Sequence, residues 1–134
     1  MIHIDQAVVG LITAAPEVAM VVSHRIYASQ HPQGGSLPAI VYAREINTRA
    51  GFVSLDNSAP YARATYTITA LAETYLECRN LARAIRRALE YSKTSDIRLV
   101  RVTEETDTIE APPAGDQMPV HRTDLTIEVT HIEP

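Results

Sequence analysis

The sequence predicts an α+β fold: an N-terminal helical segment, about four mainly antiparallel strands and one long helix packed on the sheet, in the order ααββαββ. Three observations carry this expectation. Residues Tyr61 to Ala70, YARATYTITA, alternate at the two-residue period of a half-buried strand. Residues Thr74 to Leu89 combine a capping signal with an apolar stripe at helical spacing. Residues 120 to 131 alternate again, so strand-forming runs flank a helix within 134 residues, a common size for one domain. A single α+β domain over residues 1–134 is expected. Its 46% apolar and 21% charged residues are the balance of a chain that folds, not of one that stays disordered.

The elements follow in order. From residue 5 to 15, Val8, Leu11, Ile12 and Ala15 recur at helical spacing, with Asp5 placed to cap the first turn. Pro16 suits the first turn of a second short helix, so a broken helical hairpin is expected. An extended loop near 28–38 comes next. Ala39 to Asn47, AIVYAREIN, is rich in strand formers and puts Ile40, Tyr42 and Ile46 on one face. A second extended loop, near 48–60, ends in an Asp-Asn-Ser turn signal and a proline and reads as a hairpin arm. In the next strand Ala62, Ala64, Tyr66, Ile68 and Ala70 point one way, and Arg63, Thr65, Thr67 and Thr69 the other.

Thr74 and Glu77 form a capping box that fixes the register of the long helix. Cys78, Leu81, Ile85, Ala88 and Leu89 then make the stripe that lies on the sheet, while Arg79, Arg83, Arg86 and Arg87 occupy the opposite side. Residues 97 to 106 and 120 to 131 read as an antiparallel pair. Their connection near 107–119, DTIEAPPAGDQMP, is too long for a tight hairpin and too polar to pack as core.

Charge and residue chemistry narrow the function. A formal net charge of −4 gives no uniform attraction to phosphate backbones or anionic lipid, so any nucleic-acid contact must be local. Asp5, Pro16 and Glu17 interrupt the apolar start that a signal peptide or membrane span would need, and one cysteine excludes an internal disulfide. An intracellular setting without a membrane partner is expected. The histidines His3, His24, His31, His121 and His131 show neither HExxH nor HxH spacing and read as surface or rim residues. Cys78 sits in the core stripe, where a thiol behaves as a small hydrophobe. Gly34-Gly35 lacks the context of a phosphate cradle and reads as a turn. No catalytic residue, metal or cofactor is expected.

The four helix arginines are the dense basic patch of an acidic chain. Three readings stand: a solvated face with modest i,i+4 pairing, a subunit contact, or a surface turned toward DNA. A small ligand-binding module or enzyme is the reading from another class. It would use His121, Arg122 and Asp124, although alternation puts Arg122 and Asp124 on one face and His121 on the other.

Two blocks of sequence resemble a known family. RIY at Arg25 to Tyr27, PQGG at Pro32 to Gly35 and LPAIVY at Leu37 to Tyr42 are similar to the helix-to-strand transition of the tail-terminator, or tail-completion and tail-to-head joining, proteins of tailed bacteriophages. YARATYTITALAETYLECRNLARAIRRAL, Tyr61 to Leu89, is similar to the strand running into a long helix in the same family. The resemblance implies a structural virion protein rather than an enzyme. It implies a homo-oligomeric ring, of six subunits, that caps the tail tube and joins it to the head. The implied partners are further copies, the tail tube protein, a head-completion or connector protein, and viral DNA passing through without sequence-specific binding. It implies location at the head-tail junction of the virion after assembly in the host cytoplasm. A head-completion or connector adaptor is the neighbouring alternative.

A ring also gives the loops a use. Three long connections would cost ordering entropy in a lone domain, whereas in a ring each can order against an adjacent subunit or the tube. Arg25, Tyr27 and Gln33 are expected at a subunit boundary. Phe52, Val53 and Leu55 form an apolar cluster in a polar arm; it either folds back on its own core or meets a neighbour or the tube.

Overall fold

The computed structural model describes residues 4–23, 25–29, 37–49, 61–94, 97–110 and 120–132. Two short helices open the chain, α1 (Ile4–Thr13) and α2 (Pro16–Val22), with Pro16 in the first turn of the second as its fixed φ favours. They bury Val8, Ile12, Val18 and Val22. Asp5 lies inside the first turn of α1 rather than before it. Its negative charge suits the helix N-terminus, and its carboxylate accepts a hydrogen bond from the Tyr66 hydroxyl. No single described helix is long and apolar enough to cross a membrane.

Among the described residues five strands follow: β1 (Ile26–Ala28), β2 (Ala39–Arg49), β3 (Tyr61–Ala72), β4 (Ile97–Glu110) and β5 (Val120–Ile132). The long helix α3 (Tyr75–Leu89) joins β3 to β4. The sheet order is β1-β2-β3-β5-β4, antiparallel except for β1, which runs parallel to β2. The α+β class therefore holds, but the order is ααβββαββ. The added strand, IYA, is three residues long, too short to show a period in the sequence.

Other boundaries also move. Thr48 and Arg49 belong to β2, and residues 107 to 110 belong to β4, because both segments find ladder partners, in β3 and β5. Of the three expected loops, residues 30–36, 50–60 and 111–119 lie outside the described residues, and with them Gln33, Phe52, Val53 and Leu55.

α1, α2 and α3 pack on one face of the sheet. Ala62, Ala64, Tyr66, Ile68 and Ala70 of β3 and Leu125, Ile127 and Val129 of β5 are fully buried there, as their alternation predicts. Leu81 and Ile85 of α3 complete the layer; each such side chain contributes about 1.5–3 kcal/mol by leaving water. Ala88 is only half-buried, and Ala82 and Ala84 take its place in the core. Two other expectations fail here. His131 is 4% exposed, because the register sets it opposite Ala62 on the core side. Ile46 is 58% exposed, because a bulge between Arg44 and Ile46 reverses the alternation and sets Ile46 opposite Thr65 instead of a core position.

Candidate functional site

The surfaces available for function are set by α3, the two sheet edges and the face without helices. Thr74 caps α3 by accepting a hydrogen bond from the Glu77 amide at 3.2 Å, and Arg86 and Arg87 sit in the last turn, where positive charge suits the helix dipole. The arginine stripe does not act as one face. Arg79 leans over β4, with its Nη1 3.1 Å from both Glu105 Oε1 and Asp107 Oδ1, and Arg86 Nη1 is 4.0 Å from Glu105 Oε2. Arg83 and Arg87 remain exposed, and among the described residues neither has an ion-pair partner.

Beneath Arg79 runs a chain of polar contacts. The Thr123 hydroxyl donates to Asp107 Oδ1 at 2.7 Å and lies 3.2 Å from Cys78 Sγ, which itself donates to the Ala70 carbonyl at 3.4 Å. The Thr123 bond, with the Arg79 guanidinium, holds the Asp107 carboxyl below the usual carboxylate range. Burial pushes the Cys78 thiol up, which keeps it a thiol rather than a nucleophilic thiolate. A shallow crevice of about 360 Å³ lies here, lined among others by Tyr75, Cys78, Ile109 and His121. A second groove of about 540 Å³ runs between α2 and α3, past Glu17, Val21, Asn80 and Ala84.

His121 packs edge-on against Tyr75, with ring centroids 6.2 Å apart, while Arg122 Nε bonds Asp124 Oδ1 at 2.9 Å. The three do not converge, as the alternation of β5 predicts. Among the described residues no group of three or more His, Cys, Asp or Glu side chains could hold a metal ion. The arrangement offers binding faces rather than converging reactive groups.

Arg25 and Tyr27 are held by their own chain. Arg25 donates through Nη2 to the Val21 carbonyl and through Nε to the Pro38 carbonyl, both at 2.8 Å, clasping the end of α2 to the start of β2. Tyr27 sits in β1 opposite Val41.

The sheet edges went unread in the sequence, since strand order has no local signal. β1 covers the outer side of β2 from Ile40 to Tyr42, and Ser29 N–H extends this to the Tyr42 carbonyl. The amides of Thr94 and Tyr91 cover β4 at Ile97 and Val100. Among the described residues nothing pairs with the outer side of β2 from Ala43 to Arg49 or of β4 from Glu104 to Glu110. Exposed Ile46 and Ile109 mark these two stretches.

Among the described residues the helices cover one face of the sheet and two edge stretches are left without a ladder partner, and comparison with known proteins defines the class as a virion structural protein. A chain of a solved structure described as the virion of a native gene transfer agent (GTA) particle shares the fold. Its TM-score is 0.62 at 15% identity, covering 94% of this chain and 92% of that one. Comparison with curated proteins gives no match. The family model described as Tail completion protein gp17 matches residues 6–129. The chain belongs to that family; it is a structural protein of the phage tail and resides in the virion.

Proposed function

We propose that this chain is a ring-forming tail terminator, which closes as a homo-oligomer of six on the end of the tail tube and joins it to the head. The observation that carries the proposal is the family match over residues 6–129. Physical support comes from two unlike surfaces on one subunit, the outer side of β2 and the outer side of β4. Heterologous contacts between identical copies need two such surfaces, and they close when the rotation per step divides the circle. The protein acts in this reading without catalysis, and its partners are its own copies, the tail tube protein and a head-completion or connector protein. Viral DNA passes through the ring without sequence readout, consistent with a net charge of −4.

Mass measurement under native conditions, alone and with assembled tail tubes, tests this. A closed oligomer of six in either setting is the expected result. A chain that stays monomeric alone and does not bind tubes refutes the reading. Reversal of the exposed Arg83 and Arg87 to Glu separates the readings of the stripe: normal infectious particles make them solvated residues, and loss of rings makes them subunit contacts.

A further inference from the structure

The turn that ends α3 sets a bulky residue where the backbone favours a small one. Glu90 has φ −62° and ψ 127°, and Tyr91 has φ 60°. With the Ser92 N–H on the Leu89 carbonyl at 3.0 Å, these are the marks of a type II turn, whose third residue takes a positive φ and is ordinarily Gly or Asn. A side chain with a Cβ is strained there. The surrounding bonds hold the turn in place. The Tyr91 N–H donates to the Val100 carbonyl at 2.8 Å, and Ser92 Oγ donates to the Ala88 carbonyl at 2.7 Å.

The Tyr91 ring gains little from its own fold in return. It is 69% exposed, and among the described residues its hydroxyl has no hydrogen-bond partner. Ser23 and Ser29 also have positive φ, but they carry short side chains. A strained conformation fixed by its surroundings, at a residue that adds no core packing, points to a task outside the chain.

Charge says what kind of task. Arg83 and Arg87 lie two turns and one turn before Tyr91, and Lys93 lies two residues after it; all three are exposed and have no ion-pair partner among the described residues. The helix dipole accounts for Arg87 but fades within the last turn, which leaves out Arg83. From Arg83 to Lys93 the only acidic residue is Glu90, so this end of an acidic chain is locally basic. A tyrosine rimmed by cations has the composition of a protein interface hot spot. Single-stranded nucleic acid also takes cations beside aromatic rings, but it needs successive rings for successive bases. Tyr75, the other exposed aromatic among the described residues, stands about 22 Å off at the far end of α3. One ring suits one pocket.

We infer that Tyr91, with Arg87 and Lys93 at its rim, docks into an acidic pocket of the protein that adjoins this one in the virion, an apolar cleft for the phenol with carboxylates around its mouth. This rests on the tail-terminator reading above. The cations steer the approach, and the rigid turn spares the complex much of the cost of ordering the ring. Tyr91 sits beside the covered half of β4, apart from the bare stretch 104–110, so docking and ring assembly are separable.

The strain supplies the test, because stability and docking should move in opposite directions. Tyr91→Gly removes the ring and suits the positive φ, and its melting temperature is expected to rise by about 2–5 °C with the oligomer's native mass unchanged. Its binding to assembled tail tubes or to heads carrying their connector, measured separately, is expected to weaken at least about tenfold for one of the two. Tyr91→Asn tolerates the same dihedral without the added freedom of Gly and should lose the same binding, whereas Tyr91→Phe should keep most of it. Arg87→Gln combined with Lys93→Gln should slow association and flatten its dependence on salt.

Normal docking of Tyr91→Gly to both tubes and heads overturns the inference. So does a fall in melting temperature, which would make the ring part of its own fold, or loss of the oligomer, which would make it a subunit contact. Binding of an oligothymidylate strand that Tyr91→Gly abolishes would make the partner nucleic acid and overturn it too. Wild-type protein that binds neither tubes nor heads refutes the terminator reading and this inference with it.

Discussion

Replacing Tyr66 by Phe removes one hydroxyl from the middle of the core and is expected to destabilise the protein by about 2 kcal/mol. The ring of Tyr66 is fully buried at the centre of β3, and its hydroxyl donates to the Asp5 carboxylate in the first turn of α1. Phe conserves the packed volume, so the cavity cost of about 3–5 kcal/mol that an aromatic-to-Ala change would bring is absent. What is lost is a hydrogen bond to a charged acceptor, worth about 1.5–3 kcal/mol. With a urea dependence of about 1.5 kcal/mol per molar, the unfolding midpoint should fall by about 1.3 M at fixed protein concentration, with the slope unchanged. A double-mutant cycle with Asp5→Ala isolates the pair and should return a coupling of at least about 1.5 kcal/mol.

The same residue gives an alkaline signature. Burial, and then the Asp5 bond, raise the folded Tyr66 pKa above its ordinary value of 10. The unfolded chain therefore loses this proton first. The stability from Tyr66 is fully present below about pH 10 and declines as pH rises beyond it. Tyr66→Phe should flatten that decline. A coupling energy below about 0.5 kcal/mol, together with an unchanged alkaline limb, would refute the assignment of Tyr66 as the tie between helix layer and sheet.

Thr74→Ala should cost about 1 kcal/mol by leaving the Glu77 amide without its cap, and Thr74→Ser should restore most of it; calorimetric unfolding reads both, and an unchanged melting temperature in the Ala variant would remove the cap from the account. Cys78 should react with a disulfide reagent at least about a thousandfold more slowly than a free thiol until denaturant opens the fold, because it is 1% exposed and burial raises its pKa; prompt reaction of the native protein would place Cys78 outside the core.

The sequence reveals this fold wherever one face of an element is buried along its whole length. β5 keeps strict alternation against the helix layer, β3 does so as far as Ile68, beyond which Thr69 and Leu71 are buried as well, and the stripe from Cys78 to Leu89 sits where the helical period puts it, with Ala88 the one exception. It fails where a local pattern is broken or absent. The bulge after Arg44 carries Ile46 to the far side, and nothing in AIVYAREIN announces the extra residue. β1 is three residues long and owes its strand state to β2, a tertiary effect that local propensity does not encode.

The site is legible to a smaller degree. Helical spacing gathers the arginines on one stripe, but it cannot see the carboxylates of β4 that draw Arg79 and Arg86 away from Arg83 and Arg87. Residues 104 to 110 hold four acidic positions, of which Glu105 and Asp107 are the two that meet Arg79. Their importance appears only once the order β3-β5-β4 makes them a rim. His131 reads as a surface or rim residue, one of five scattered histidines without metal-ligand spacing, yet the β3–β5 ladder draws it inside.

The clasp made by Arg25 bears on how such a protein can diversify. One guanidinium holds the last turn of α2 and the first residue before β2, and the Arg25 carbonyl takes the Ile40 amide at 2.9 Å, so departure and return points of the intervening excursion are pinned to each other. The entropy of closing that excursion grows only as the logarithm of its length. Insertions after β1 and before Leu37 should thus cost little in closure entropy while both pins and the β1 ladder hold.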